Sequence, residues 1–201
     1  EREAAILEQE RARLMRDLHD GLGGEMVAIL ALAERGQGKD EEIAYHARAA
    51  LADMRLIIAS LEDYGGDLGM ALGAWKERAE PQILASGMAL HWELGDVGCN
   101  ALFGPTQVLD ILRIIQEALT NVIHHSGATN ITVRAQLTDC QLTLSFIDDG
   151  NGISPLARRG KGLANMHRRA ATLRGALAIQ TSNVGTSVEL RMPLSPTQLT
   201  S

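Results

Sequence analysis

The sequence predicts an α+β chain in two parts, an N-terminal helical hairpin followed by a two-layer α/β sandwich. Three observations predict it. Apolar residues recur at helical spacing through the first sixty or so residues, with charged residues between them. From about residue 67 the pattern becomes a mixture of helical stretches and short alternating segments. Gly36-Gln37-Gly38 and Gly65-Gly66 fall where one pattern stops and the next begins.

Composition is compatible with a real core. Of 201 residues 45% are hydrophobic and only 3% aromatic, so that core must be mostly Leu, Ile, Val, Ala and Met. A net charge of -6 argues against direct nucleic-acid binding, which calls for a basic patch. Cys99 and Cys140 are too few and too far apart for a disulfide framework or a zinc site, and are expected as reduced thiols. No apolar run is long enough to span a membrane, and no signal peptide is visible. The chain opens inside a helical pattern, Glu1 to Arg16, without a start signal. That predicts the C-terminal part of a longer protein.

The first helix carries Leu7, Leu14, Leu18, Leu22, Met26 and Ile29 at spacings of three, four or seven. The second carries Ile43, Ala47, Ala50, Met54, Ile57 and Leu61 on one stripe. A two-helix hairpin cannot bury such stripes alone. Pairing with a second copy gives a four-helix bundle, hence an expected homodimer; the alternative is packing on the second domain. Gly21, Gly23 and Gly24 are unusual in a helix interior, where each costs about 0.5–1 kcal/mol relative to Ala. Either the helix bends or is closely approached there, or bundle packing tolerates a weak stretch.

In the second part, Leu68 to Leu84 is expected as a helix with Pro81 as a kink, and Met88 to Leu94 as a half-buried strand. Pro105 to His125 is a long helix with Pro near N1. Residues 131–135 and 142–147 form paired strands across a turn near Thr138-Asp139. Gly162 to Leu173 is a helix, and 176–180 and 187–192 are closing strands. The tail from Pro193 on is polar and expected to fray. The expected domains are 1–64, 67–194 and a flexible tail, 195–201.

Five groups of residues carry chemistry. His19 stands directly before Asp20 on the first helix. Glu117 and Asn121 are four apart and share a helix face, where a carboxylate and an amide can organise a hydrated magnesium ion; a solvated face would look the same. Asp148-Asp149-Gly150-Asn151-Gly152 follows a hydrophobic strand. A carboxylate at a strand end can accept a hydrogen bond from an adenine amino group, though Asp and Gly also make ordinary turns. Gly160-Lys161-Gly162-Leu163 opens a helix, where a glycine-rich backbone makes an anion site, with Arg158 and Arg159 adding charge. Gly185-Thr186 precedes the last strand and offers a hydroxyl. A nucleophile candidate followed by ordered nucleotide-pocket motifs points to phosphoryl transfer onto a side chain.

In this order, the motifs resemble the ATP-binding domain shared by histidine kinases, type II topoisomerase ATPase subunits, mismatch-repair ATPases and the heat-shock chaperone ATPase. With the His19-Asp20 hairpin in front, nearly all of residues 1 to 194 resembles the catalytic core of a bacterial two-component sensor histidine kinase. It is most similar to the nitrate-sensor-like subfamily, in which Asp follows the phosphoacceptor His. The resemblance implies His19 as phosphoryl acceptor and Asp20 as its orienting base. It implies ATP and Mg2+, with Glu117, Asn121 and His124 or His125 around the metal and phosphates. Asp148, Gly150 and Gly152 would contact adenine, with Thr186 closing that side. Gly160, Lys161, Gly162 and Leu163 would border a short lid starting at Ile153. Gly65 and Gly66 are the expected hinge between the two parts.

The resemblance further implies a response-regulator receiver domain as partner, with a helix-turn-helix output, and a cytoplasmic portion of a membrane-anchored sensor. One departure is notable: the subfamily often carries Gln four residues after the Asp, and Gly24 stands there, followed by Glu25. Weak or absent phosphatase activity toward the partner is therefore expected. His46, His91 and His167 lack carboxylate partners or metal-ligand spacing and are expected as surface or core residues. A stand-alone ATPase or anti-sigma-type serine/threonine kinase, and a scaffold with a dead ATP site, are the competing readings. The His19-Asp20 pair argues against the first and the intact nucleotide motifs against the second.

Overall fold

A computed structural model describes residues 50–51, 54, 67–95, 103–138, 140–153 and 161–195. The chain divides into two compact units, Glu1–Glu62 and Asp63–Ser201. Apart from residues 50–51 and 54, the described residues all belong to the second unit. The hairpin expectations, including His19, Asp20, Gly24, His46 and the hinge glycines, lie outside the described residues, as do Cys99, Gly160 and the last six residues.

Helix α1 spans Leu68–Ala85. Asp67 caps it by accepting a hydrogen bond from the Met70 amide at 3.0 Å. Leu68, Ala71, Leu72, Trp75, Ala79 and Ile83 form its buried stripe. The helix runs on through Pro81 for another four residues. It ends in a Schellman motif, with the Gly87 amide on the Leu84 carbonyl and the Met88 amide on the Ile83 carbonyl. Gly87 has φ 77°, and Ile83 and Met88, the positions flanking this cap, are both buried.

Helix α2 spans Pro105–His125, the range expected from sequence. Pro105 lacks only an amide that would have no intrahelical partner. The Gln107 side chain reaches back to accept from the Gly104 amide at 3.0 Å. From Val108 to Ile115 every residue is buried, because α2 packs on the sheet and against both other helices. Its last turn carries exposed His124 and His125, where cations suit the helix dipole.

The sheet contains β1 (Ala89–Leu94), β2 (Asn130–Thr138), β3 (Gln141–Asp148), β4 (Ala176–Ser182) and β5 (Gly185–Pro193). Its order is β1-β2-β3-β5-β4. β1 pairs parallel with β2, with α2 as the crossover, and the other pairings are antiparallel. Helix α3, Lys161–Thr172, lies between β3 and β4 in the chain. Inward positions alternate along the strands: Ile131, Val133 and Ala135 on β2, Leu142, Leu144 and Phe146 on β3, and Val188, Leu190 and Met192 on β5. The opposite face is polar and carries the Glu93–Arg134 and Glu189–Arg191 ion pairs. This is the expected two-layer α/β sandwich.

The core is aliphatic as composition required, with Trp75 as its largest fully buried side chain. Trp75 stacks on Trp92 with centroids 6.1 Å apart, and its indole N–H donates to Gln116 Oε1 at 3.0 Å. One expectation needs correction. Fraying does not begin at Pro193: that residue ends β5, and buried Leu194 donates its amide to the Cys140 carbonyl at 2.8 Å.

Candidate functional site

Strand alternation places Asp148 on the same face as Leu142, Leu144 and Phe146, so its carboxylate is buried at the strand's end, 6% exposed. Burial pushes its pKa up from the ordinary carboxylate range. Backbone amides of Gly150 and Thr186 bond to the carboxylate and oppose the shift, while neighbouring Asp149 adds to it. The Gly150 amide lies 2.9 Å from Asp148 Oδ1. Thr186 sits opposite Asp148 in the β3–β5 register and is itself buried.

Asp149 faces the other way and performs a different task. Its Oδ1 accepts from the amides of Thr129 at 2.7 Å and Asn130 at 2.8 Å. Its Oδ2 accepts from Thr129 Oγ1 and Asn130 Nδ2, both at 2.8 Å. These bonds, led by the Asn130 side chain, hold the Asp149 carboxyl far below its usual range. The loop after β3 is thereby fastened to the start of β2.

The same loop is fastened to the end of α2. The Asn151 amide donates to the Ser126 carbonyl at 2.8 Å. A Cβ on Gly150 would lie 2.6 Å from the Ser126 Cβ, so only glycine fits against the helix end. Gly152 has φ 75°, and a Cβ there would run into the Ser182 carbonyl. The next amide, of Ile153, donates to Thr181 Oγ1 at 2.7 Å, and that hydroxyl lies 3.3 Å from Thr186 Oγ1. Gly185, with φ 138°, passes so close to the Asp148 carbonyl that a Cβ would collide with it.

Glu117 and Asn121, both half-buried, share a face of α2, with exposed His124 one turn beyond Asn121. The His124 and His125 rings are 6.2 Å apart and tilted to one another. At the start of α3, Gly162 lies directly against the Glu117 side chain, leaving no room for a Cβ. The structure thus brings Gly162 to Glu117, Gly150 to the end of α2, and Thr186 to Asp148. Leu163 is half-buried beside Gly162, and Lys161 opens α3. His91 is exposed, 3.2 Å from Asn130 Oδ1, and His167 and Cys140 are exposed.

Ser126, Thr181 and the Asp149 clamp were not anticipated from sequence, nor was the close approach of Gly185 to the Asp148 carbonyl. The β3 alternation carried the signal for Asp149: if Asp148 points in with Phe146, its neighbour must point out. A magnesium ion bound to nucleotide phosphates keeps several waters and takes one or two protein oxygens. The donor set of Glu117 and Asn121 fits that requirement.

Residues 106–196 match the family described as histidine kinase-, DNA gyrase B- and HSP90-like ATPase, and this segment is an ATP-binding domain of that kind. Similarity extends well beyond the segment. The sensor histidine kinase LiaS of Bacillus subtilis is 29% identical over 212 residues, covering 96% of this chain and 56% of that protein. Sensor histidine kinase YxjM of the same organism is 31% identical over 209 residues, 96% of this chain and 49% of that protein. The histidine kinase domain of the blue-light activated kinase EL346 of Erythrobacter litoralis shares the fold. It has a TM-score of 0.61 at 16% identity, covering 92% of this chain and 94% of that one. Over most of its length the chain is thus similar to sensor histidine kinases. It spans about half the length of the curated relatives it matches. Among the described residues no helix is long and apolar enough to cross a membrane.

Proposed function

We propose that this chain is the kinase core of a two-component sensor of the nitrate-sensor-like subfamily, which phosphorylates His19 from ATP and passes the phosphoryl group to an aspartate of a response regulator. The observation that carries the reading is the buried Asp148 carboxylate, held by the Gly150 and Thr186 amides. Such an acceptor at the end of a strand suits the exocyclic amine of adenine. Gly150 and Gly152 allow the ring a close approach, and Thr186 lines the same side.

Residues 1–64 would be the dimerising phosphoacceptor hairpin, 67–194 the ATP-binding domain and 195–201 a tail. Glu117 and Asn121 would hold magnesium, which neutralises phosphate charge when bound. His124 or His125 would contact phosphate, while Gly160, Lys161, Gly162 and Leu163 would border a lid. An unprotonated imidazole nitrogen of His19 attacks the γ-phosphorus. A phosphorus–nitrogen bond forms, and the bond to the bridging oxygen breaks, releasing ADP. Asp20 holds the proton on the other ring nitrogen and stabilises the cation formed. The partners would be a second copy of the chain and a receiver domain with a helix-turn-helix output. The chain would be the cytoplasmic portion of a membrane-anchored sensor.

The nucleotide site is tested by titrating ATP into the full chain and its Asp148→Asn variant. Loss of a hydrogen bond to a charged group is worth about 1.5–3 kcal/mol, a weakening of about 10- to 150-fold. Unchanged affinity would remove Asp148 from the adenine contact.

A further inference from the structure

The proposed reaction makes no use of the ion pair between Asp110 on α2 and Arg169 on α3. Arg169 Nη1 lies 2.9 Å from Asp110 Oδ1, with the side chains only 19% and 8% exposed. Desolvating two charges is costly, and a well-packed apolar pair often serves stability as well or better. The pair therefore calls for a reason other than stability.

Its position supplies one. On α2, Asp110 precedes Glu117 by seven residues; on α3, Arg169 follows Gly162 by seven. Seven residues is close to two turns, so each helix presents its two positions on one face about 10 Å apart. Gly162 lies against Glu117 and Arg169 against Asp110, so the contacts run in opposite chain directions and belong to one antiparallel register. Met166 and Ala170 of α3 are buried and the two helices are in contact, but apolar burial is non-directional. A charged hydrogen bond is directional. Shifting α3 by one residue would carry Lys161 or Leu163 to the place where even a Cβ on Gly162 runs into the Glu117 carboxylate.

We infer that Asp110 and Arg169 are positioning residues whose ion pair locks α3 in register on α2, so that Gly162 seats the Glu117 carboxylate for magnesium. This rests on the reading of Glu117 as a magnesium ligand, and a control separates the two. ATP is titrated into the full chain with and without magnesium, and the metal-dependent gain in affinity is read for each variant. Second-sphere support of a metal ligand is worth about 10- to 100-fold in metal affinity. The double variant Asp110→Leu/Arg169→Met keeps apolar bulk at the contact. It should lose most of that gain while binding metal-free ATP within about twofold of wild type.

Glu117→Gln should lose the gain as well. A wild-type gain in the double variant beside a lost gain in Glu117→Gln overturns the inference and leaves the magnesium reading standing. A wild-type gain in Glu117→Gln overturns both. Should the double variant not fold, hydrogen exchange of the nucleotide-free Arg169→Met chain decides. Amides 165–169, the first of α3 with intrahelical acceptors, should exchange about tenfold faster than wild type with those of β3 unchanged, as expected of local rather than global opening. Equal protection at 165–169 overturns the inference.

Discussion

Two adjacent carboxylates, Asp148 and Asp149, have opposite environments and opposite responses to pH. Burial raises the pKa of Asp148, so in the folded chain its proton is held more tightly than in the unfolded one. Its effect on stability therefore favours lower pH and is lost as pH rises through the raised value. The proposed adenine contact would have the other sign, because the ionised carboxylate is the stronger acceptor for an amine. ATP affinity should fall on acidification, starting above the ordinary carboxylate range, and Asp148→Asn should flatten that dependence in a titration series. Asp149 is held far below its usual range by Asn130 and Thr129. It stabilises the fold above the ordinary carboxylate pKa, and that contribution is lost as pH falls through its depressed value. Asp149→Ala should lower Tm at neutral pH, with the gap to wild type narrowing toward about pH 2. A gap that stays constant in calorimetry would contradict the clamp.

At the scale of elements, the sequence was informative wherever a local rule acted. Pro105 and the apolar run after it marked α2 to the residue, and period-2 alternation found the strands. Two things were not local. The parallel direction of β1 depends on where α2 leads the chain, and the Asp110–Arg169 pair joins residues 59 apart. Gly185 is another case, since its neighbour is the carbonyl of a distant strand end. Gly185→Ala forces both an unfavourable φ and a collision beside Asp148, an expected loss of about 1–3 kcal/mol together with weakened ATP binding. Val184→Ala, at a position 75% exposed in the same turn, should stay within about 0.5 kcal/mol. Comparable effects of the two substitutions in denaturant melts would show that the close approach has no energetic consequence.

For the whole molecule, the proposed nucleotide motifs are read as a set. Each is ambiguous alone, and it is their order along 201 residues that points to one pocket. The cross-links that assemble them, Gly162 to Glu117 and Gly150 to Ser126, became visible only in three dimensions. The hairpin expectations rest on sequence: a dimer through apolar stripes, His19 as acceptor, and weak phosphatase activity because Gly24 has no side chain to orient water. Restoring that side chain by Gly24→Gln should raise the rate at which a phosphorylated receiver domain loses its label; equal rates would contradict the assignment. Phosphoryl transfer to His19 is the step on which the proposed function depends. The most direct test is incorporation from γ-labelled ATP with magnesium into wild type and His19→Ala. Acid-labile, base-stable label is expected on the wild-type chain and none on the variant. Label that persists in His19→Ala, or ATP binding without label in the wild type, would contradict transfer to His19.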